Sequence, residues 1–229
     1  MNMKKKLLLM AVAIMCLSAS LQAQPFEPGT FSIMPRIGLN LSRVTNMPPL
    51  PVVNGFTMKR TLYPGVQVGA DVEYQASERF SLQGGVGYSL QGCKWKDYRA
   101  GLIEITDTKI SLSYINVPLL ANFYIVEGLA VKAGIQAGFL LDARNKAVAR
   151  IRESVGSPWL EASSSESFTG ECNKVDWSIP IGVSYEFDNH LVLDLRYTLG
   201  LNRINKESDP DGDIRNRIVT LTVGYKIEM

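Results

Sequence analysis

The chain is poor in the side chains from which most enzyme sites are built. Its 229 residues include one histidine and three cysteines. A lone histidine excludes a histidine-based metal cage, and no Ser/His/Asp set can be assembled. His190 sits beside Asp188 in a short polar turn and reads as a turn residue, not a base. The cysteines lack the spacing of a metal site. No sign of charge prevails either: 24 Lys and Arg against 22 Asp and Glu leave a net charge of +2, so nucleic acid is not an expected partner. No apolar run reaches the roughly 20 residues of a transmembrane helix. Beyond the N-terminal leader no segment has a helical period.

That leader has three parts. Lys4-Lys5-Lys6 precedes an apolar stretch from Leu7 to Leu17, and small or polar residues follow up to Leu21-Gln22-Ala23. This is the order of a secretory signal peptide. Cleavage is expected after Ala23, which leaves residues 24–229 as one exported domain. Cys16 departs with the leader; Met15 precedes it where a lipoprotein would carry a small residue. Cys93 and Cys172 remain, in segments expected at the same end of the molecule. Disulfides persist in exported proteins, so the two are a candidate pair, with two free thiols as the alternative.

What the chain has in abundance is alternation. Side chains on a strand point to opposite faces in turn, and eight segments separate apolar from small or polar residues at period two. The clearest is a hairpin from Leu112 to Leu141. Ile115, Val117, Leu119, Ala121, Phe123 and Ile125 lie on one face, with Tyr114, Asn116, Leu120, Asn122 and Tyr124 on the other. After Glu127-Gly128 the pattern resumes with Val131, Ala133, Ile135, Ala137, Phe139 and Leu141 against Lys132, Gly134, Gln136, Gly138, Leu140 and Asp142. Six further segments begin near Phe31, Leu62, Phe80, Val175, Leu191 and Val219. Short connections (Gln75 to Arg79, Glu127-Gly128, Asp188 to His190) alternate with long ones (Ser42 to Thr61, Lys94 to Asp107, Ala143 to Lys174, Arg203 to Arg217). Short turns at one end and long loops at the other are the plan of an outer-membrane barrel. The reading is an all-β, eight-stranded, antiparallel up-and-down transmembrane barrel, with periplasmic turns and extracellular loops.

Alternation alone leaves two possibilities for the apolar face: outward to lipid, or inward to a lipocalin-like ligand cavity. The apolar faces are long enough to cross a bilayer at a tilt. They carry aromatics near the strand ends, among them Phe31, Tyr74, Phe80, Phe123, Trp177, Phe187, Tyr197 and Tyr225. The opposite face is small and polar with charges of both signs, which suits a narrow lumen. Arg36, Lys132, Arg196 and Lys226 are expected to pair there with Asp71, Glu73, Asp176, Glu186, Asp194 and Glu228, because buried charges are costly unless paired. Eight strands enclose only enough space for side chains, so neither a diffusion pore nor a cofactor is expected. Asp209, Asp211 and Asp213 lack the remaining ligands of a calcium loop and read as a turn. The segment from Ala143 to Lys174, with its Ser163–Ser167 SSSES run, is expected to be mobile at its tip.

Several stretches resemble the PorT-like outer-membrane β-barrel proteins of Bacteroidota. They are GLNLS at Gly38 to Ser42, YSLQG at Tyr88 to Gly92, YINVPLL at Tyr114 to Leu120, AGIQAGFLL at Ala133 to Leu141 and RYTLGLNRI at Arg196 to Ile204. The resemblance spans nearly all of the mature chain and names no catalytic group. It implies an outer-membrane location, lipid around the barrel and barrel-insertion machinery as a partner. A non-enzymatic protein whose long loops serve envelope structure, adhesion or partner binding is expected. The alternative is transport, either of a small solute through a narrow lumen or as part of a protein-export machine, since the family's namesake is linked to a protein-secretion system.

Overall fold

The computed structural model describes residues 27–46, 50–51, 57–206 and 213–229. The leader, Asp209 and Asp211 lie outside the described residues. Eight long strands make the barrel: β1 (Phe31–Val44), β2 (Tyr63–Ser77), β3 (Phe80–Trp95), β4 (Ile103–Val126), β5 (Leu129–Ile151), β6 (Val175–Glu186), β7 (Leu191–Gly200) and β8 (Asn216–Tyr225). Each pairs antiparallel with its sequence neighbours, and β8 pairs with β1, so the ring is closed. Closure satisfies every strand edge, which a lipid environment demands.

The alternation expected from sequence is the alternation observed, with the apolar face outward. On β1, Ile37 and Leu39 are 66% and 64% exposed, while Arg36 and Asn40 on either side of them are 4% and 0% exposed. A water-soluble protein rarely shows so large an apolar surface. Hydrocarbon is the solvent that suits it, so the lipocalin-like arrangement is excluded. From Phe31 to Leu41 the belt on a tilted strand is roughly 25 Å tall. Its aromatics are unevenly spread. Phe31, Tyr74, Phe80, Phe123, Phe187 and Tyr225 ring the short-turn end, where Phe31 and Tyr74 pack with centroids 4.8 Å apart. Trp177 marks the other end.

The long-loop end departs from expectation. β4 and β5 do not stop at the membrane; they run on for 24 and 23 residues. The segments expected as loops become sheet: Tyr98–Ala100 pairs with β4, and Leu160–Ser167, which contains the SSSES run, pairs with β5. Polar strands are invisible to a search for apolar alternation, because both faces meet water. A bulge also changes the hand of the β5 pattern. Ser113 faces Asp142 and Tyr114 faces Leu140, so Leu141 is an extra residue. One inserted residue flips every later side chain. Asp142, expected on the lumen face, turns outward to Arg144 at 2.7 Å, and Ala143 becomes fully buried.

Candidate functional site: a lumen plugged by charge and capped by apolar side chains

The inward positions near the middle of the barrel converge on one ring of contacts. Asp71 on β2 receives Arg36 Nε at 2.8 Å and lies 3.5 Å from Arg196 Nη2. Arg196 Nε reaches Asp194 Oδ1 at 2.7 Å, and Lys132 Nζ reaches Asp194 Oδ2 at 3.1 Å. Gln83 closes the ring: its amide donates to Asp71 Oδ2 at 2.6 Å, and its carbonyl accepts from Lys132 at 3.0 Å. Asp71 and Asp194 are each 1% exposed. Room for Asp71 comes from Gly85, its direct neighbour across the strands, where a methyl group would overlap Asp71 Oδ1.

Toward the short-turn end lies a second group. Ser81 and Tyr124 each donate to Glu73 Oε1 at 2.5 Å, and Lys226 sits between Glu186 at 2.9 Å and Glu73 at 3.8 Å. Asn122 links the two groups through Ser81 and Gln83. Four cations (Arg36, Lys132, Arg196, Lys226) thus face four anions (Asp71, Glu73, Asp194, Glu186), a neutral set. Charges this deeply buried persist only with such compensation.

Two expected members fall outside the network. Asp176 is buried near the long-loop end with no cation within 4.0 Å among the described residues; Asn216 donates to it at 2.6 Å and replaces the ion pair. Glu228 is exposed and makes no ion pair among the described residues. It belongs to the Ile227–Glu228 segment that follows a break after β8, so its even position leaves it at the open mouth beside Glu186 and His190. The uncharged members Ser81, Gln83, Asn122 and Tyr124, and Asn216 beside Asp176, were not singled out from sequence. Gln83 stands opposite Glu73 and Asn122 opposite Lys132, which is the one signal the sequence offers; Ser81, Tyr124 and Asn216 have no charge opposite them.

Above the charges the lumen is polar, with a cavity of about 10 Å³ bounded by Gln67, Ser89, Asn116, Arg196 and Thr220. That is room for about one water. Asn40 spans this level, donating to Ser89 at 2.8 Å and accepting from Thr220 at 2.8 Å. The long-loop mouth is then sealed by an apolar cluster of Val44, Met58, Cys93, Trp95, Leu112, Tyr114, Leu140, Ala143, Cys172 and Ile204. The two cysteines are free thiols, so the candidate disulfide is not formed. Cys93 lies on β3, whereas Cys172 precedes β6 and bridges Asn205, so β4 and β5 separate them around the ring. Burial pushes both thiols up, Cys172 to about 11. This suits packing, not nucleophilic chemistry.

Several solved structures are similar to the chain. Ail, the attachment invasion locus protein of Yersinia pestis, is 18% identical over 88% of this chain and 100% of that one, with a TM-score of 0.45. Neisserial surface protein A is 14% identical over 86% and 97%, with a TM-score of 0.42. OprG from Pseudomonas aeruginosa is 11% identical over 90% and 99%, with a TM-score of 0.40. No curated protein matches the chain. The family model for the outer membrane protein beta-barrel domain matches residues 22–206, and the chain belongs to that family of outer-membrane barrels.

Proposed function

We propose that this protein is a non-conducting, non-enzymatic barrel of the outer membrane that acts through its long-loop end. The observation that carries this reading is the filled lumen. A ring of five side chains bridges β2, β3, β5 and β7 across the interior, and the cavity directly above it measures about 10 Å³. A solute would have to break several buried ion pairs and then displace Trp95 and Leu112 from the cap. The strands invest instead in the rim, where β4, β5 and the Leu160–Ser167 strand extend a rigid sheet beyond the belt. Backbone held in a sheet can present the same surface repeatedly to a partner, which a mobile loop cannot. In this reading the leader directs export, insertion machinery places the barrel in lipid, and the rim faces outward to serve envelope structure, adhesion or a protein partner. The resemblance to PorT-like barrels makes a subunit of a secretion assembly the second form of the same idea.

Planar-bilayer recording with the refolded full chain tests the reading. No steady conductance is expected from the parent protein. A steady open channel would sink the non-conducting assignment and favour transport.

A further inference from the structure

The outward face changes character where the apolar belt ends on β3, β4 and β5. Lys94 on β3 stands directly opposite Lys109 on β4, and Lys109 stands directly opposite Lys146 on β5. Residues opposite one another on antiparallel strands share a face with Cβ atoms about 5 Å apart, and like charges so placed destabilise the pair. One carboxylate serves two of the three lysines. Asp107 lies 3.0 Å from Lys109 Nζ and 3.1 Å from Lys146 Nζ. It sits at a break in the strand register, with a φ of 52°. Lys94 has no ion pair among the described residues.

The same arrangement recurs on the far side of the barrel. Arg43 on β1 stands directly opposite Arg217 on β8, each two residues beyond an exposed belt residue, Leu41 and Val219. Among the described residues, Arg217 donates to the backbone carbonyls of Gly200 and Asn216. Neither arginine meets a carboxylate within 4.0 Å among the described residues. At the short-turn edge the belt is bordered instead by aromatics, and the turns there carry Glu78, Glu127 and Asp188. Cross-strand cation pairs are therefore found at the long-loop edge, where they point sideways along the membrane plane, the direction of lipid headgroups, while Arg79 in the turn between β2 and β3 stands singly beside Glu78.

We propose that this collar of Lys94, Lys109, Lys146, Arg43 and Arg217 binds the phosphate groups of the phosphorylated glycolipid in the outer leaflet. A phosphate seated between two opposed cations turns the unfavourable cross-strand contact into a bridged one. Basic residues just beyond a membrane span recognise anionic headgroups in this way. The assignment rests on the outward orientation of the long-loop end proposed above. Protease accessibility on intact cells tests that orientation, and the binding assay below does not depend on it.

The assay uses the folded full chain in neutral detergent micelles, titrated with fluorescent lipopolysaccharide, with inorganic phosphate as a competitor. Two variants, K94Q/K109Q/K146Q and R43Q/R217Q, are checked for folding by their gel shift on boiling. Binding to each variant is expected to weaken by roughly tenfold or more. The parent should discriminate against enzymatically dephosphorylated lipopolysaccharide by a similar factor, and its affinity should fall as salt rises. Without lipid, the triple variant should unfold at the same temperature as the parent or a higher one. Equal binding of the dephosphorylated glycolipid, or unchanged affinity in both variants, overturns the proposal. Inorganic phosphate binding as tightly as the glycolipid would overturn the lipid assignment. If a variant fails to fold, the dephosphorylated arm on the parent protein decides.

Discussion

Between Lys226 and Arg36 the lumen is closed by ion pairs; between Leu112 and Trp95 it is closed by apolar packing. The first region ties residues from six different strands into a neutral set, and each member has a particular partner at a particular distance. The second has no such pairing, only volumes that fit. The difference shows where specificity resides in the barrel. A one-residue slip of β1, β2, β5, β6 or β7 would carry a charge from the lumen into lipid, so the ionic half penalises wrong registers strongly. The apolar half would lose packing in the same slip but would leave no charge without a partner.

The comparison can be broken most severely at Arg196, which touches both Asp71 and Asp194. Arg196→Met leaves two buried carboxylates short of a cation and is expected to cost roughly 3–5 kcal/mol, read as a lower midpoint in denaturant unfolding from micelles. A variant as stable as the parent would mean that water already screens the ring. Leu112→Ala, in the cap, is expected to cost roughly 2–4 kcal/mol through cavity formation. It should leave the barrel non-conducting, because the ionic ring still blocks the lumen. Conductance appearing in this variant would place the seal in the cap alone.

The thiols sharpen the view of the cap. Cys93 and Cys172 are buried with their thiols pushed up. At pH 8 in the folded protein both should alkylate more than about a hundredfold more slowly than in the unfolded chain. Mass spectrometry after alkylation without reductant, in denaturant, should find both modified. A single unlabelled, oxidised pair would restore the disulfide.

The smallest effect is expected at the rim. The Lys109 hydrogen bond holds the Asp107 carboxyl below its usual range, with Lys146 adding to the effect. Because the folded-state value is depressed, the stabilisation from this group is present above the ordinary carboxylate range and is lost as pH falls through the folded value. The group is about one-third exposed, so Asp107→Asn should cost about 0.5 kcal/mol at pH 7. Thermal-shift profiles of parent and variant should converge as pH falls through the depressed folded-state value, below the ordinary carboxylate range. Curves that stay parallel into acid would show that Asp107 does not neutralise the lysine row.

Sequence reading was accurate wherever lipid imposed it. Hydrocarbon on one side and a narrow lumen on the other force a strict period of two, so Ile37, Leu39, Val117 and Val131 could be assigned outward and Arg36, Asp71 and Lys132 inward without any structure. It was weaker where both faces meet water. The extension of β4 and β5, the Leu160–Ser167 strand and the outward turn of Asp142 carry no apolar alternation to betray them. Glu228 was misassigned because parity continues past the end of a strand while burial does not. Asp176 was given an ion pair because sequence shows which charges share a face but not their heights around the ring.

The amino-acid sequence by itself thus determined the eight-stranded barrel, its apolar exterior and the identity of most lumenal charges, since each follows from local alternation against two different solvents. Only the tertiary structure decided which charge meets which. That Gln83 completes the ring, that Asn216 serves Asp176 and that Lys94, Lys109 and Lys146 line up in one row all depend on strand stagger. Stagger is set by bulges, closure and packing across the whole ring, and no single strand encodes it.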